Sequence, residues 1–522
     1  MKELIYQRTF LPAADQFANR TAIIDGEYRA TYRQHADRTL QLTRALGERL
    51  DITRSDRFAV MALNSHAYFE LYHAAFLGGG VINPLNLRLA GKELDYIIRD
   101  SGTEVIFADQ FFANAIAQAL EASDERNNVR QIVLIGDGDA PHDLKYDDLL
   151  AGIDVVEPGE PEEDDPVVLM YTGGTTGLPK GVLLDHRAEI LNLYHVAINF
   201  GFDEDVVNLV QTPMFHAASM GAILGTPMSG GTAVTMPLFD PAGAMALIEA
   251  HGVTQTVMVP TMIGMMLNHP EFAPERIRSL EQLIYGASPM PAAILDKIIG
   301  LFPDLDVIQG YGMTECSAIL TMLGADEHRA GGPRLRSAGR AVPGVVLSIR
   351  DDHGNEVAKG ETGEVWARGG NFMQKYWNKT EATEEVFEGG WYHTGDAGYL
   401  DPEGYLFLVD RVKDMIVTGG ENVYSAEVES ALSKHPAVEQ VAIIGIPHDT
   451  WGEQVHAVVV LAAGAEATAE ELQAFAKESI AGYKVPKSVE FRDEPLPLSG
   501  AMKVLKRDLR APYWEGHGRG VN

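Results

Sequence analysis

An α/β chain of more than one domain is what this sequence predicts, and three observations predict it. Strand-like and helix-like segments alternate over residues 1–170, short strands and turns take over after about residue 335, and a compact mix of both follows Lys413. Alternation of the first kind builds parallel sheets covered by helices. At 522 residues the chain also exceeds a single hydrophobic core. The expected architecture is a large N-terminal domain of parallel-sheet α/β subdomains with a β-rich subdomain, residues 1–412. A small C-terminal α+β domain, residues 413–522, follows it.

The elements can be taken in order. Residues 58–63 read as an apolar strand, and residues 65–77 as a helix whose face carries Phe69, Leu71, Tyr72 and Phe76. Extended structure restarts at Val81-Ile82-Asn83; a helix over 93–100, a strand over 104–108 and another over 131–135 repeat the cycle. Between Asp154 and Asp165, seven acids with Pro158 and Pro161 mark a solvated connector. An apolar run at 167–170 enters a glycine-rich loop, and a helix is expected from about Val182. Residues 206–239 hold no Asp, Glu, Lys or Arg, long enough to suggest a membrane span. Pro213, Pro227, Gly230-Gly231 and Pro237 break that stretch, so it reads as buried strand, helix and strand, serving as core or as the wall of an apolar pocket.

Strands at 255–259, 282–284 and 306–308 each run into a loop of unusual residues. In open α/β sheets, ligands bind beyond the carboxyl ends of the strands. Strands at 345–350, 363–367 and 405–409 form the β-rich part. Helices at 426–433 and 470–480, with strands at 441–446, 456–461 and 488–491, form a C-terminal module large enough to fold by itself.

Composition narrows the function. Hydrophobic residues make up 46% and charged residues 22%, ordinary values for a globular chain, while the net charge of −32 argues against a nucleic-acid partner. The one cysteine, Cys316, excludes an internal disulfide and fits a reducing compartment; we read it as a small packing residue. Met1-Lys2-Glu3-Leu4 has an early acid and no long apolar core, so no secretory signal is expected and a cytoplasmic location is. An acidic chain that binds an anion must gather positive charge, or a metal, locally.

Tyr171-Thr172-Gly173-Gly174-Thr175-Thr176-Gly177-Leu178-Pro179-Lys180-Gly181 offers bare N–H groups, hydroxyls and one lysine, which is what a polyphosphate needs. It is not a Walker A loop, because Leu178-Pro179 separate Gly177 from Lys180. Glycines alone would equally suit a surface turn. The segment resembles the signature Y-T-[SG]-G-T-T-G-x-P-K-G of the adenylate-forming superfamily, which includes acyl-CoA synthetases, firefly luciferase and peptide-synthetase adenylation domains.

The resemblance implies an ATP-dependent acyl-CoA synthetase. Such an enzyme joins a hydrophobic carboxylic acid (a medium- or long-chain fatty acid, or a cyclic or aryl acid) to AMP, then to CoA, with Mg²⁺ at the phosphates. It further implies that Thr172, Gly173, Gly174, Thr175, Thr176, Gly177 and Lys180 cradle the phosphates, Thr175 lying beside the metal. In Tyr311-Gly312-Met313-Thr314-Glu315, Tyr311 would stack on adenine with Gly312 beside it, Thr314 would contact the α-phosphate and Glu315 would ligate Mg²⁺. Alone, that motif would equally suit a loop with Thr314 as a helix cap. Gly286-Ala287-Ser288 would wall the adenine slot, Asp396 in Trp391-Tyr392-His393-Thr394-Gly395-Asp396 would hold the ribose, and Arg411 would contact ribose and phosphate.

Lys413 falls at the hinge position, and Gly419, Gly420 and Glu421 fall where CoA's pantetheine would pass. Lys503 falls on the adenylation lysine, although Met502 stands where a glycine is usual. His216 would border the carboxylate end of the acyl site, or be a core histidine; Met258, Met262, Met265 and Met266 would line the acyl tunnel, or be core. Two other readings stay open: an acyl-AMP ligase that loads a separate carrier protein, and a degenerate nucleotide-binding regulator. The expected partners are small molecules, with a homo-oligomer and peripheral membrane contact left open.

Overall fold

A computed structural model describes residues 2–89, 91–123, 127–172, 178–288, 290–411, 414–418, 421–448, 450–499 and 504–515. Four sheets organise them. The first has nine strands, of which Thr21–Asp25, Thr232–Thr235, Val207–Val210, Gln255–Met258, Gln282–Gly286 and Asp306–Tyr311 run parallel in that spatial order. Antiparallel strands close its edges: Tyr28–Thr31 on one side, Thr321–Leu323 and Arg340–Ala341 on the other. The second sheet has eight strands, with Pro166–Thr172, Val81–Pro84, Arg57–Met61, Val105–Asp109, Gln131–Ile135 and Leu144–Lys145 parallel.

Local chemistry sets many helix starts. Thr31 and Gln34 form a capping box ahead of the helix Tyr32–Leu50, Asp240 caps Pro241–His251, and Thr468 with Glu471 boxes Ala469–Lys477. Buried aromatic and aliphatic side chains from His66–Ala74 and Tyr32–Leu50 pack with the apolar face of the eight-stranded sheet as one core. Met258, Met262 and Met266 join a second core beside the nine-stranded sheet, while Met265 is 43% exposed. The charge-free stretch is the strand Val207–Val210, short helical turns and the strand Thr232–Thr235. Among the described residues, no helix is long and apolar enough to cross a membrane.

One expectation is corrected. The chain after the glycine-rich segment is not a helix: Lys180–Asp185 is a strand, antiparallel to Pro166–Thr172, with Thr172 opposite Lys180. The helix His186–Phe200 begins only after it, capped by the Asp185 side chain. A short apolar run such as Val182-Leu183-Leu184 has no period that separates strand from helix, and here flanking strands on both sides decide it. The elements on either side of residues 173–177 are therefore both strands.

The third sheet, five strands, contains Val346–Arg350, Gly363–Arg368, Trp391–Leu400, Phe387–Glu388 and Leu406–Arg411, all antiparallel. The fourth draws its strands from residues 416–492 alone and packs with the helices Ser425–Leu432, Ala469–Lys477 and Lys506–Trp514.

Candidate active site

The strand Asp306–Tyr311 brings the first site residues to the carboxyl edge of the nine-stranded sheet. It runs past the expected loop start to Tyr311, because its antiparallel pairing with Thr321–Leu323 extends it. Two glycines allow the packing. A Cβ on Gly286 would collide with the carbonyl oxygen of Gly310 on the neighbouring strand, and one on Gly312 would collide with that of Ala318. Thr314–Cys316 then forms one 3-10 turn, so Thr314 is its first residue and not a cap. Ser317 and Ala318 leave the turn with φ of 53° and 100°, conformations that L-residues adopt at a cost. Asn371 holds this exit in place, its Nδ2 donating to the carbonyl oxygens of Cys316 and Ile319 at 2.9 Å each.

Two carboxylates, Glu315 on this turn and Asp396 on another strand, each receive a tyrosine. The Tyr311 hydroxyl donates to Asp396 Oδ2 at 2.6 Å. Asp396 lies on the strand Trp391–Leu400 at a register shift, and its backbone pairs with that of Arg411. The Tyr376 hydroxyl donates to Glu315 Oε1 at 2.8 Å, and its ring lies 4.8 Å beneath Lys180 Nζ. Tyr392 stands 3.5 Å from Tyr376, hydroxyl to hydroxyl.

Desolvation first, then the adjacent carboxylate, pushes all three phenols well above the ordinary tyrosine range, so each remains a neutral donor. Tyr376 gets there through Lys375–Tyr376, a two-residue strand on the edge of the eight-stranded sheet, with Tyr376 opposite Val182. Two segments that follow no common pattern in sequence thus meet at one phenol.

The donor set suits a hard cation. Among the described residues no three His, Cys, Asp or Glu side chains gather into a metal cage. Glu315 offers one carboxylate with Oε2 unpartnered among the described residues, the contribution expected of a protein that shares Mg²⁺ with phosphates and water.

The rest of the expected site divides. Thr172 donates its hydroxyl to the Lys180 carbonyl oxygen at 3.4 Å, closing the strand pair. Ala287 follows Gly286 with φ of 66°, and Ser288 stays half-buried at the same sheet edge. His216 Nδ1 accepts from the Ala218 N–H at 3.2 Å, capping the turn Ala217–Ser219. Cys316 is buried, its thiol raised by burial and donating to the Met313 carbonyl oxygen, consistent with packing. Gly173, Gly174, Thr175, Thr176, Gly177, Lys413, Gly419, Gly420 and Lys503, with Met502 beside it, lie outside the described residues, as do the side chains of Arg411 and Glu421.

Sequence reasoning missed Tyr376 and Asn371, which belong to no motif quoted above, and gave no role to Tyr392, which stands inside the quoted Trp391–Asp396 motif. It also missed Glu189 and Asn192, buried polar residues on the helix His186–Phe200. A signal existed for these last two: His186, Glu189, Asn192 and His195 recur every third position along the helix and all four are buried.

Known proteins resemble this chain in sequence and fold. Residues 10–377 match the family model described as AMP-binding enzyme, and residues 427–503 match the AMP-binding enzyme C-terminal domain. The chain is 38% identical to a feruloyl-CoA synthase of Amycolatopsis sp, over 94% of this chain and 96% of that one. It is 34% identical to a fatty acid–[acyl-carrier-protein] ligase of Streptomyces coeruleorubidus, over 94% and 93%. The fold matches that of o-succinylbenzoate CoA synthetase from Bacillus subtilis in complex with its acyl-adenylate intermediate, with a TM-score of 0.85, 28% identity and 100% of both chains covered.

Proposed function

Because this chain belongs to the AMP-binding enzyme family and is an AMP-forming acid–CoA ligase acting through an acyl-adenylate, we propose that its substrate is a hydrophobic carboxylic acid. Aryl and fatty acids are both in range, since similar chains are named for feruloyl-CoA and for fatty acids. One observation carries the reading: Tyr376 ties the Glu315 carboxylate to the Lys180 ammonium around a single phenol.

The chemistry has two steps. A carboxylate oxygen of the acid attacks the α-phosphorus of ATP, the bond to the β-phosphate oxygen breaks, and pyrophosphate leaves. The thiol of CoA then attacks the acyl carbon and loses its proton, and AMP leaves carrying an oxygen from the acid.

In the first step, Lys180 and Thr172 with residues 173–177 hold the β- and γ-phosphates. Tyr311 offers its ring face to adenine while its hydroxyl fixes Asp396 for the ribose, with Gly286, Ala287, Ser288 and Arg411 completing the nucleoside site. Thr314 donates to the α-phosphate, and Lys503 places positive charge where the transition state gains negative charge. Glu315, oriented by Tyr376, would hold Mg²⁺, which offsets phosphate charge when bound. His216 borders the acid's carboxylate.

We assign residues 1–412 and 413–522 as two domains that pivot at Lys413, bringing Gly419, Gly420 and Glu421 to CoA for the second step. A fourth sheet closed within 416–492 supports that division. A carrier protein in place of CoA is the second reading, favoured by the similarity to the carrier-protein ligase.

The test is pyrophosphate release over a panel of fatty, aryl and alicyclic acids, with CoA or a carrier protein as acceptor. Release that depends on acid, and its loss by about 100-fold or more in Lys503→Ala, is expected. Undiminished thioester formation by Lys503→Ala contradicts the assignment.

A further inference from the structure

The helix Gly91–Ser101 ends on a residue that the helix itself does not favour. Asp100 is its penultimate residue, where the negative end of the helix dipole opposes a carboxylate and the last carbonyls have no partner within the helix. Both of its polar groups are taken up from elsewhere in the chain. The Tyr171 hydroxyl donates to Asp100 Oδ2 at 2.6 Å. The Asp100 carbonyl oxygen accepts from Trp377 Nε1 at 2.8 Å and from Asn378 Nδ2 at 3.0 Å. Burial first, then the Asp100 carboxylate, holds the Tyr171 phenol well above the ordinary tyrosine range, so it stays a donor. Asn378 reaches its acceptor from a left-handed backbone, φ 52°, which asparagine tolerates better than most residues.

The residues that Asp100 holds lead to two parts of the phosphate site. Tyr171 is the penultimate residue of the strand Pro166–Thr172, whose end adjoins residue 173. Trp377 ends a segment that runs from the Glu315 turn to the strand carrying Lys180. Along it, Asn371 fixes the carbonyls of Cys316 and Ile319, and the Met373 N–H donates to the Glu315 carbonyl oxygen at 2.8 Å. Tyr376 then stands between the Glu315 carboxylate and the Lys180 ammonium, and the Trp377 N–H donates to the Gly181 carbonyl oxygen at 2.7 Å. The two paths meet at Gly181. A Cβ there would lie 3.0 Å from the Tyr171 ring, 3.2 Å from the Trp377 side chain and 2.9 Å from Leu169, so the glycine lets both aromatic residues close over this strand.

We propose that Asp100 is a positioning residue for ATP: through Tyr171 and Trp377 it fixes the strand end before residue 173 and the seat of Lys180, and with them the grip on the β- and γ-phosphates. The proposal rests on the ligase reading above and adds to it a residue that acts only through its neighbours. An ammonium on a flexible four-carbon stem is a poorly aimed charge, so its contact with a phosphate gains from a platform held in place. The Tyr376 ring is that platform, and Asp100 anchors the segment that brings it.

The experiment measures, by calorimetry on the full chain with Mg²⁺ present, the Kd for ATP and for AMP. AMP lacks the β- and γ-phosphates, so a loss confined to ATP reports on their cradle, whereas a general loosening of the fold weakens both. Asp100→Ala is expected to weaken ATP by about tenfold and AMP by less than about twofold. Tyr171→Phe keeps the ring over Gly181 and removes only the hydroxyl; it is expected to do the same, and the double variant to be no worse than either single one. Trp377→Phe, which loses the indole N–H, is expected to weaken ATP by about threefold and to spare AMP. Asp100→Asn should keep most of the ATP affinity, because its amide oxygen still accepts from Tyr171. Equal weakening of ATP and AMP overturns the proposal, as does a double-variant loss equal to the product of the two single losses. If Asp100→Ala does not fold, Tyr171→Phe carries the same comparison. ATP affinity indifferent to these variants, in an enzyme that releases pyrophosphate with an acid, sinks this inference alone, whereas no release with any acid sinks the ligase reading.

Discussion

Two carboxylates in this molecule are equally hidden and opposite in company. Glu70, on the helix His66–Ala74, has 0% exposure and is saturated: Arg38 donates from Nε at 2.7 Å and Nη2 at 3.3 Å, and the Tyr146 hydroxyl donates at 2.6 Å. Glu189 also has 0% exposure, and among the described residues no cation reaches it, the nearby Ser317 hydroxyl alone opposing the effect of burial. Burial alone therefore does not fix a carboxyl's charge. A buried acid held by a cation braces the core as an anion, whereas one without a cation keeps its proton to higher pH. Glu315 and Asp396 each accept a tyrosine hydroxyl, at 2.8 Å and 2.6 Å.

The largest expected effect is on stability against pH. The folded Glu189 carboxyl titrates near 8 and the unfolded one near 4.5, so the folded chain holds a proton that the unfolded chain releases between those values. The stability this contributes is present below pH 4.5 and is lost as pH rises to 8, by up to about 5 kcal/mol at about 1.4 kcal/mol per unit. Buried His73 and His186, held down to about 4 and about 3 by burial, act in the opposite sense as pH falls below 6.5. The difference between Glu189→Gln and wild type isolates the first term. Urea titrations should show the variant gaining on the wild type as pH rises, and parallel pH curves would remove the distinction from Glu70.

Next in size, Glu70→Ala leaves Arg38 without its main partner and should cost about 2–3 kcal/mol, less than a fully buried pair because Arg38 keeps some access to water. Glu189→Leu at neutral pH should cost nothing or raise the urea midpoint, and equal losses in the two variants would erase the comparison. Tyr376→Phe should lower kcat/KM for adenylation by about tenfold, the worth of one hydrogen bond to a carboxylate, and leave the urea midpoint almost unmoved.

The smallest effect concerns Arg88, whose guanidinium donates to the carbonyl oxygens of Leu498 and Ser499, just before the segment that contains Lys503. Arg88→Ala should slow adenylation by about two- to fivefold without changing thioester formation from supplied acyl-AMP. Equal slowing of both steps would deny that Arg88 docks that segment.

How much of this was legible in the sequence depended on range. The strand at residues 131–135 reads identically in sequence and structure, because its apolar run sits between turn signals. The N-terminal hairpin gave no hint that Thr21–Asp25 would pair with Thr232–Thr235, since strand partners are chosen by tertiary packing. For the site, Tyr311, Glu315 and Asp396 were legible because the chemistry fixes their residue types in short motifs. Tyr376 was not, since it arrives on a two-residue strand whose neighbours lie far away in the chain.

The central claim is that the acid is activated by becoming an ester of AMP. Supplying the enzyme with ATP, CoA and an acid labelled with heavy oxygen in its carboxylate tests it directly. The account predicts one labelled oxygen in the AMP released with the thioester, and none in pyrophosphate. Label in an inorganic phosphate formed alongside ADP, or unlabelled AMP beside a full yield of thioester, would contradict it.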